Sequence, residues 1–150
     1  MTHRPVEPQQ IIDLLESICP DETLAVQTMP IDETVIDLPA AAIHRCIEAL
    51  IEQLGIHHLS TITGQDTGQA IELLYHFWHG RGITLRTVLN REAPHIDSVT
   101  DLIPGAAFYE REVQEMLGVT FDGHPDLSPL LLPDDWDEGP PLRKSEATDV

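Results

Sequence analysis

Ala70-Ile71-Glu72-Leu73-Leu74-Tyr75-His76-Phe77-Trp78-His79-Gly80-Arg81-Gly82-Ile83-Thr84-Leu85-Arg86-Thr87-Val88-Leu89-Asn90 is the stretch on which the fold turns. Its apolar residues recur every second position. Ile71, Leu73, Tyr75 and Phe77 share one face of a strand over 70–78, and Ile83, Leu85, Thr87 and Leu89 share one face of a strand over 83–90. His79-Gly80-Arg81-Gly82 supplies the hairpin turn between them. A third run, 56–63, comes just before. Three consecutive strands with short links predict an antiparallel meander. Each strand buries one face only, so helices must cover that face, which gives a two-layer α+β architecture.

The flanks supply the helices. Asp37 and Pro39 open one, Gly55 closes it, and Ile43, Cys46, Ile47, Leu50 and Leu54 form its apolar stripe. Residues 9–19 read as an earlier helix with Ile11, Ile12, Leu15 and Ile18 along one side, stopped by Pro20. Two short strands, 23–29 and 33–38, follow it around a turn at Pro30-Ile31-Asp32. Later, Ser98-Val99-Thr100-Asp101 reads as a variant capping box for a short helix ending near Pro104-Gly105. Residues 106–117 read as a further helix with Ala106, Tyr109, Val113, Met116 and Leu117 on its stripe, ended by Gly118.

Beyond it the style changes. Five prolines between Gly123 and Pro141 forbid much regular structure, yet Leu127, Leu130, Leu131, Leu132 and Trp136 lie among them. So many large apolar groups must pack on the domain or on a partner. The expected organisation is a frayed 1–8, one α+β domain over 9–119 with helices on one face of an antiparallel sheet, and a proline-rich, extended, partner-binding arm over 120–150.

Charge narrows the function. Twenty-six acidic residues oppose eight basic ones, for a formal net charge of −18. Nucleic-acid binding needs Lys and Arg to displace counterions, and anionic lipid repels such a surface. An acidic regulator that blocks a basic partner is one reading of this charge; salt adaptation is another. No apolar run approaches the roughly 20 residues of a membrane span. The opening Met1-Thr2-His3-Arg4-Pro5 lacks a leader's apolar stretch, so the expectation is a protein that stays where it is made. Cys19 and Cys46 have no metal-type spacing and are expected as two buried free thiols in a reducing cytosol.

A search for chemistry finds little. Eight histidines invite a metalloenzyme reading built on His57, His76, His79 and Glu112, but no carboxylate completes a zinc set, and histidines spread over a sheet are the simpler account. Glu112 and Glu115 are neighbours on one helix face while Glu110 points elsewhere, and Arg111 sits one turn before Glu115; a solvated charged face is expected. No Gly-x-Ser-x-Gly elbow, phosphate loop or dinucleotide fingerprint occurs.

The run from Glu110-Arg111-Glu112 through Val119-Thr120-Phe121-Asp122-Gly123-His124-Pro125-Asp126-Leu127 resembles a family signature. Leu131-Leu132-Pro133-Asp134-Asp135-Trp136 and Pro141-Leu142-Arg143-Lys144 continue it in the same order. Together they resemble the C-subunit family of respiratory complex I, the NADH–quinone oxidoreductase, a family shared with membrane-bound [NiFe] hydrogenases and methanogen dehydrogenase complexes. His57-His58-Leu59, Thr63-Gly64-Gln65-Asp66 and Leu74-Tyr75-His76 fit it more loosely. Gln114-Glu115 stands where an aromatic–Asp pair is usual, Phe108 replaces Trp, Ser128 a basic residue, and Pro140 a His.

The resemblance implies a subunit with no catalytic residue, cofactor or metal of its own, in the peripheral arm of a quinone-reducing complex. It implies docking beside the hydrogenase-like large subunit and cluster-bearing subunits, on the inner face of the cell membrane, with membrane contact only through the complex. A subunit of a membrane-bound [NiFe] hydrogenase is the alternative. It assigns the partner interface to Glu110, Arg111, Glu112, Phe121, His124, Pro125, Leu127, Leu131, Trp136, Leu142, Arg143 and Lys144.

Overall fold

The computed structural model describes residues 6–21, 24–29, 32–128, 130–133 and 135–144. The turn residues Pro30 and Ile31 and most of the expected frayed start lie outside them. Helix α1 spans Pro8–Ile18, strands β1 and β2 span Val26–Met29 and Glu33–Asp37, and a 3-10 turn at Ala40–Ala42 leads into helix α2, Ile43–Leu54. The meander follows as β3 (Leu59–Asp66), β4 (Ala70–Trp78) and β5 (Gly82–Asn90). Short strand β6 (His95–Asp97), helix α3 (Ala106–Leu117) and short strand β7 (Thr120–Asp122) complete the regular structure among the described residues.

The five long strands form one sheet in the order β1-β2-β5-β4-β3. All its pairs are antiparallel except β2–β5, which is parallel. β6 and β7 form a separate parallel pair. The alternation in 70–90 sets the core face: Ile71, Leu73, Tyr75, Phe77, Ile83, Leu85 and Leu89 are all buried, joined by Ile36 of β2 and Ile62 of β3. Burying each such side chain contributes about 1.5–3 kcal/mol. α3 packs across β3, α1 packs on α2, and their apolar residues join the same cluster. Gly64 makes the α3–β3 approach feasible, since a Cβ there would lie 2.7 Å from Leu117 Cδ1.

The opposite sheet face is a polar lattice. Thr84 Oγ1 donates to Glu33 Oε1 at 2.8 Å, and His76 bridges Thr84 and Thr63 at 3.0 Å each, so one chain of bonds crosses four strands. Beside it, Arg86 holds Glu72 at 2.8 Å and Asp37 at 3.3 Å, and Gln65 donates to Glu72. The Arg86 hydrogen bond keeps the Glu72 carboxyl below its usual range.

Several expectations change. β3 begins at Leu59 rather than residue 56. Ile56 is instead a buried plug after α2, its amide donating to the Leu50 carbonyl at 3.0 Å. His57 and His58 are therefore exposed loop residues, not strand residues on opposite faces. Ser98–Gly105 forms no helix: separate turns close instead, with Leu102 and Ile103 donating to Val99 O and Ala106 donating to Ile103 O. The anticipated capping box does not form, because Ser98 Oγ bonds Glu110 and Asp101 pairs with His44. The buried stripe of α3 is Ala106, Glu110, Val113, Glu115 and Leu117, while Tyr109 and Met116 are half-buried. A boundary at 119/120 would cut the core, because Phe121 of β7 is 1% exposed. Cys19 and Cys46 are both buried and free, and burial pushes the Cys46 thiol up to about 12.

Candidate partner-docking surface

The segment after β7 has no helix or strand among its described residues, as its prolines require. It does not trail away from the body. Three buried or half-buried groups fold it back into a strap over the C-terminal end of α3.

Glu110 anchors the root. Its side chain is wholly covered, Ser98 Oγ donates to Oε1 at 2.6 Å, and the Val99 amide donates to Oε2 at 2.9 Å. The buried His124 ring lies 3.9 Å away, its Nδ1 accepting from the Asp126 amide while Nε2–H donates to the Ala107 carbonyl. Burial raises the Glu110 carboxyl above its usual range against the pull of these donors. Tyr75 Oη is buried near this carboxylate and has no hydrogen-bond partner among the described residues; its ionisation is pushed up by burial.

An acid whose folded-state pKa is raised contributes stability below its unfolded pKa and loses it as pH rises through the folded value. Glu110→Gln removes that titration. The variant is expected to lose the fall in stability that wild type shows as pH rises above the ordinary glutamate range, and urea melts across that interval check this.

Glu115 shapes the middle. Its carboxylate accepts the amides of Leu131 and Leu132 at 2.7 Å each and of Leu130 at 3.2 Å. Burial alone would raise this carboxyl, but the three amides, with Arg111 nearby, hold it below the usual range. Arg111 reaches the strap too, donating to the Ser128 carbonyl at 3.1 Å.

Asp66 latches the end. It sits on the core face at the end of β3 with its side chain wholly covered. Arg91 donates to both oxygens at 2.8 and 2.9 Å, and the amides of Gly68 and Lys144 donate at 2.8 and 2.7 Å. Arg143 Nε is 3.4 Å away, and its other nitrogens bond the carbonyls of Leu117 and Arg91 at 3.0 and 2.7 Å. Arg91 also donates to the Lys144 carbonyl. The Arg91 hydrogen bonds hold the Asp66 carboxyl far below its usual range. Gly118 completes the latch: its φ of +77° ends α3, and a Cβ there would lie 3.0 Å from Pro140 Cγ.

The motif residues therefore divide. Glu110, Phe121 and the His124 ring are buried within this chain, and Arg143 and the Lys144 backbone secure the latch. The expected solvated carboxylate face is absent, because Glu110 and Glu115 are buried and only Glu112 is exposed. Pro125 is exposed and Leu127 half-buried. The outward apolar groups are Leu131 at 58%, Leu142 at 59% and Trp136 at 38% exposed, with Phe108 at 63% on α3. Trp136 is positioned by its Nε1–H bond to Gly139 O at 2.7 Å and lines a cleft of about 280 Å³ with Leu127, Leu132 and Pro140. His57, His76, His79 and Glu112 are not brought together: no group of three or more potential metal ligands occurs among the described residues. Asp66 and Arg91 are not among the expected site residues; the Thr63-Gly64-Gln65-Asp66 resemblance is the one signal pointing at Asp66, and none points at Arg91.

The family model for the respiratory-chain NADH dehydrogenase 30 Kd subunit matches residues 36–149, covering α2, the β3–β5 meander, α3 and the strap but not β1 or most of β2. The chain belongs to that family. It is 32% identical over 146 residues to the NADH-quinone oxidoreductase C subunit of Salinispora arenicola, covering 90% of this chain and 59% of that one. It is 38% identical over 115 residues to the NADH-quinone oxidoreductase C/D subunit of Phocaeicola vulgatus, covering 73% of this chain and 22% of that one. The chain thus spans less than two thirds of the length of these relatives. Among solved structures, a chain of an archaeal membrane-bound sulfane sulfur reductase shares the fold, with a TM-score of 0.72 at 22% identity over 85% of this chain and 77% of that one. The α+β fold expected of this 30 Kd subunit family is the one observed. No helix among the described residues is long and apolar enough to cross a membrane.

Proposed function

We propose that this chain is a non-catalytic peripheral-arm subunit of a complex I-like quinone oxidoreductase. In this reading it docks beside the hydrogenase-like large subunit and cluster-bearing subunits, binds no cofactor itself, and meets the membrane only through its complex. Family membership supports the class of machine, and the C/D relative supports a neighbour of the D type. The observation that carries the docking role is the strap: on a chain of net charge −18, three carboxylates hold Leu131 and Trp136 outward beside a preformed cleft. Exposed large apolar groups held in place by buried polar bonds are the anatomy of interface anchors. Pre-shaping the strap lowers the ordering cost of association.

The test is capture of the tagged, full-length protein from its host in mild detergent. Recovery of cluster-bearing and membrane subunits is expected, and the co-purified electron-input subunit names the donor. The pair Leu131→Asp and Trp136→Ser is expected to cut recovery by on the order of a hundredfold, the loss of two anchors, without altering the isolated chain's thermal midpoint. Wild-type recovery with no respiratory subunit in the eluate would overturn the reading.

A further inference from the structure

We propose that the free edge of β3, with the groove beside it, takes up an extended strand from an adjoining subunit, apolar at alternate positions and carrying Lys or Arg opposite Glu112. The proposal rests on the reading of this chain as a subunit of a larger complex. β3 is the terminal strand of the sheet, with β4 as its one strand neighbour among the described residues. In an antiparallel pair, alternate residues of an edge strand aim their N–H and C=O groups outward. Edges left this way are ordinarily blunted by charge, proline or a covering element. Here Leu59-Ser60-Thr61-Ile62-Thr63-Gly64-Gln65 contains no charged residue and no proline, in a chain with 26 acids. A bulge between Leu59 and Thr61 irregularises only its start. At the other end, the Asp66 carboxylate is turned inward and consumed by Arg91.

The groove next to this edge states what would lie in it. It encloses about 180 Å³ between residues 61–64 and α3, and is walled by Met116, Leu117 and Leu142. Leu142 is 59% exposed, held there by the Leu142 amide bond to Met116 O at 2.9 Å. The edge calls for backbone donors and acceptors in extended geometry, and the wall calls for apolar side chains at every second position. Glu112 is the single charged residue of the lining among the described residues and is exposed, so a basic residue is the matching charge.

Amide hydrogen exchange, compared between the isolated chain and the purified complex, tests this. With residue-level fragmentation, alternate amides within 60–65 are expected to slow by on the order of tenfold or more in the complex, while those of β4 and of residues 82–86 of β5, already paired on both sides, stay unchanged. Glu112→Lys is expected to reduce recovery of the complex while the isolated chain melts as wild type does. A complex recovered with the 60–65 amides exchanging as in the isolated chain overturns this proposal and leaves the subunit reading standing. Slowing that appears in the isolated chain and grows with its concentration assigns the edge to a second copy, which also overturns it. Failure to recover any complex overturns the subunit reading first and the strand with it.

Discussion

Asp66→Asn releases the strap and costs about 3–5 kcal/mol of stability, the range for removing one partner of a buried charge pair. The wild-type carboxylate is wholly covered and accepts from Arg91, Gly68 and Lys144. Asparagine keeps the size but offers one acceptor oxygen and an amide that faces the Arg91 and Arg143 guanidiniums. Arg91 and Arg143 are 17% and 26% exposed, so water can reach them in part and the lower end of the range is expected. Urea unfolding measures the loss. Limited proteolysis gives a second readout, with new cleavage within 123–144 while the sheet stays intact. The pH profile follows the same linkage. A carboxyl held below its ordinary range contributes stability that is present above the unfolded pKa and is lost as pH falls through the folded one. Wild type should therefore weaken steeply in acid, and Asp66→Asn should lack that share of the slope. A variant that matches wild type in both melting and proteolysis would show that the latch is not what holds the strap.

Glu115→Ala has a more local consequence. Three amides, Leu130 to Leu132, lose their acceptor at once. Each unsatisfied, partly buried donor costs about 1–3 kcal/mol, less where water reaches it. The strap is at the surface, so a total of about 2–4 kcal/mol is expected, taken mainly from the local order of 128–136. Exchange of the Leu130–Leu132 amides should accelerate on the order of a hundredfold with little change in β4 and β5. Recovery of the complex should fall with it, because Leu131 and Trp136 lose their fixed direction. Glu115→Asp separates shape from charge: it keeps the acceptor but shortens the reach, and should restore part of the protection. Unaltered exchange at all three amides in Glu115→Ala would remove the carboxylate from its shaping role.

How much of this was legible depends on whether a residue's partner is near it in the chain. The β4–β5 hairpin was readable because period-two alternation is local, and so was α2, with its stripe and closing Gly55. The parallel β2–β5 pair was not, since Glu33 meets Gly82 and neither flank records it. Glu110 and Glu115 read as solvated because carboxylates mostly are. They are buried because each satisfies amides 11 to 17 residues away, in loops with no pattern of their own. The family signature runs through the strap, but motif order does not separate a side chain that holds the strap from one that the strap displays. Arg143 and Trp136 sit in the same signature and do these two different things.

The Asp66–Lys144 contact also sets a sequence of events in time. It joins groups 78 residues apart, but α3 packed on β3 already closes most of that separation, so the latch closes only the stretch from Leu117 to Lys144, about 27 residues, at a chain-entropy penalty of about 3 kcal/mol. The meander and helices consist of nearer contacts and form without it. The latch is therefore expected to close only after β3 and α3 are in place. A newly made chain passes through a stage in which the sheet is built but the strap still sweeps free, and Leu131 and Trp136 become a fixed surface only when that stage ends. Under the proposed docking role, maturation of this face lags behind folding of the body, which puts a built-in delay between folding and recruitment into an assembly.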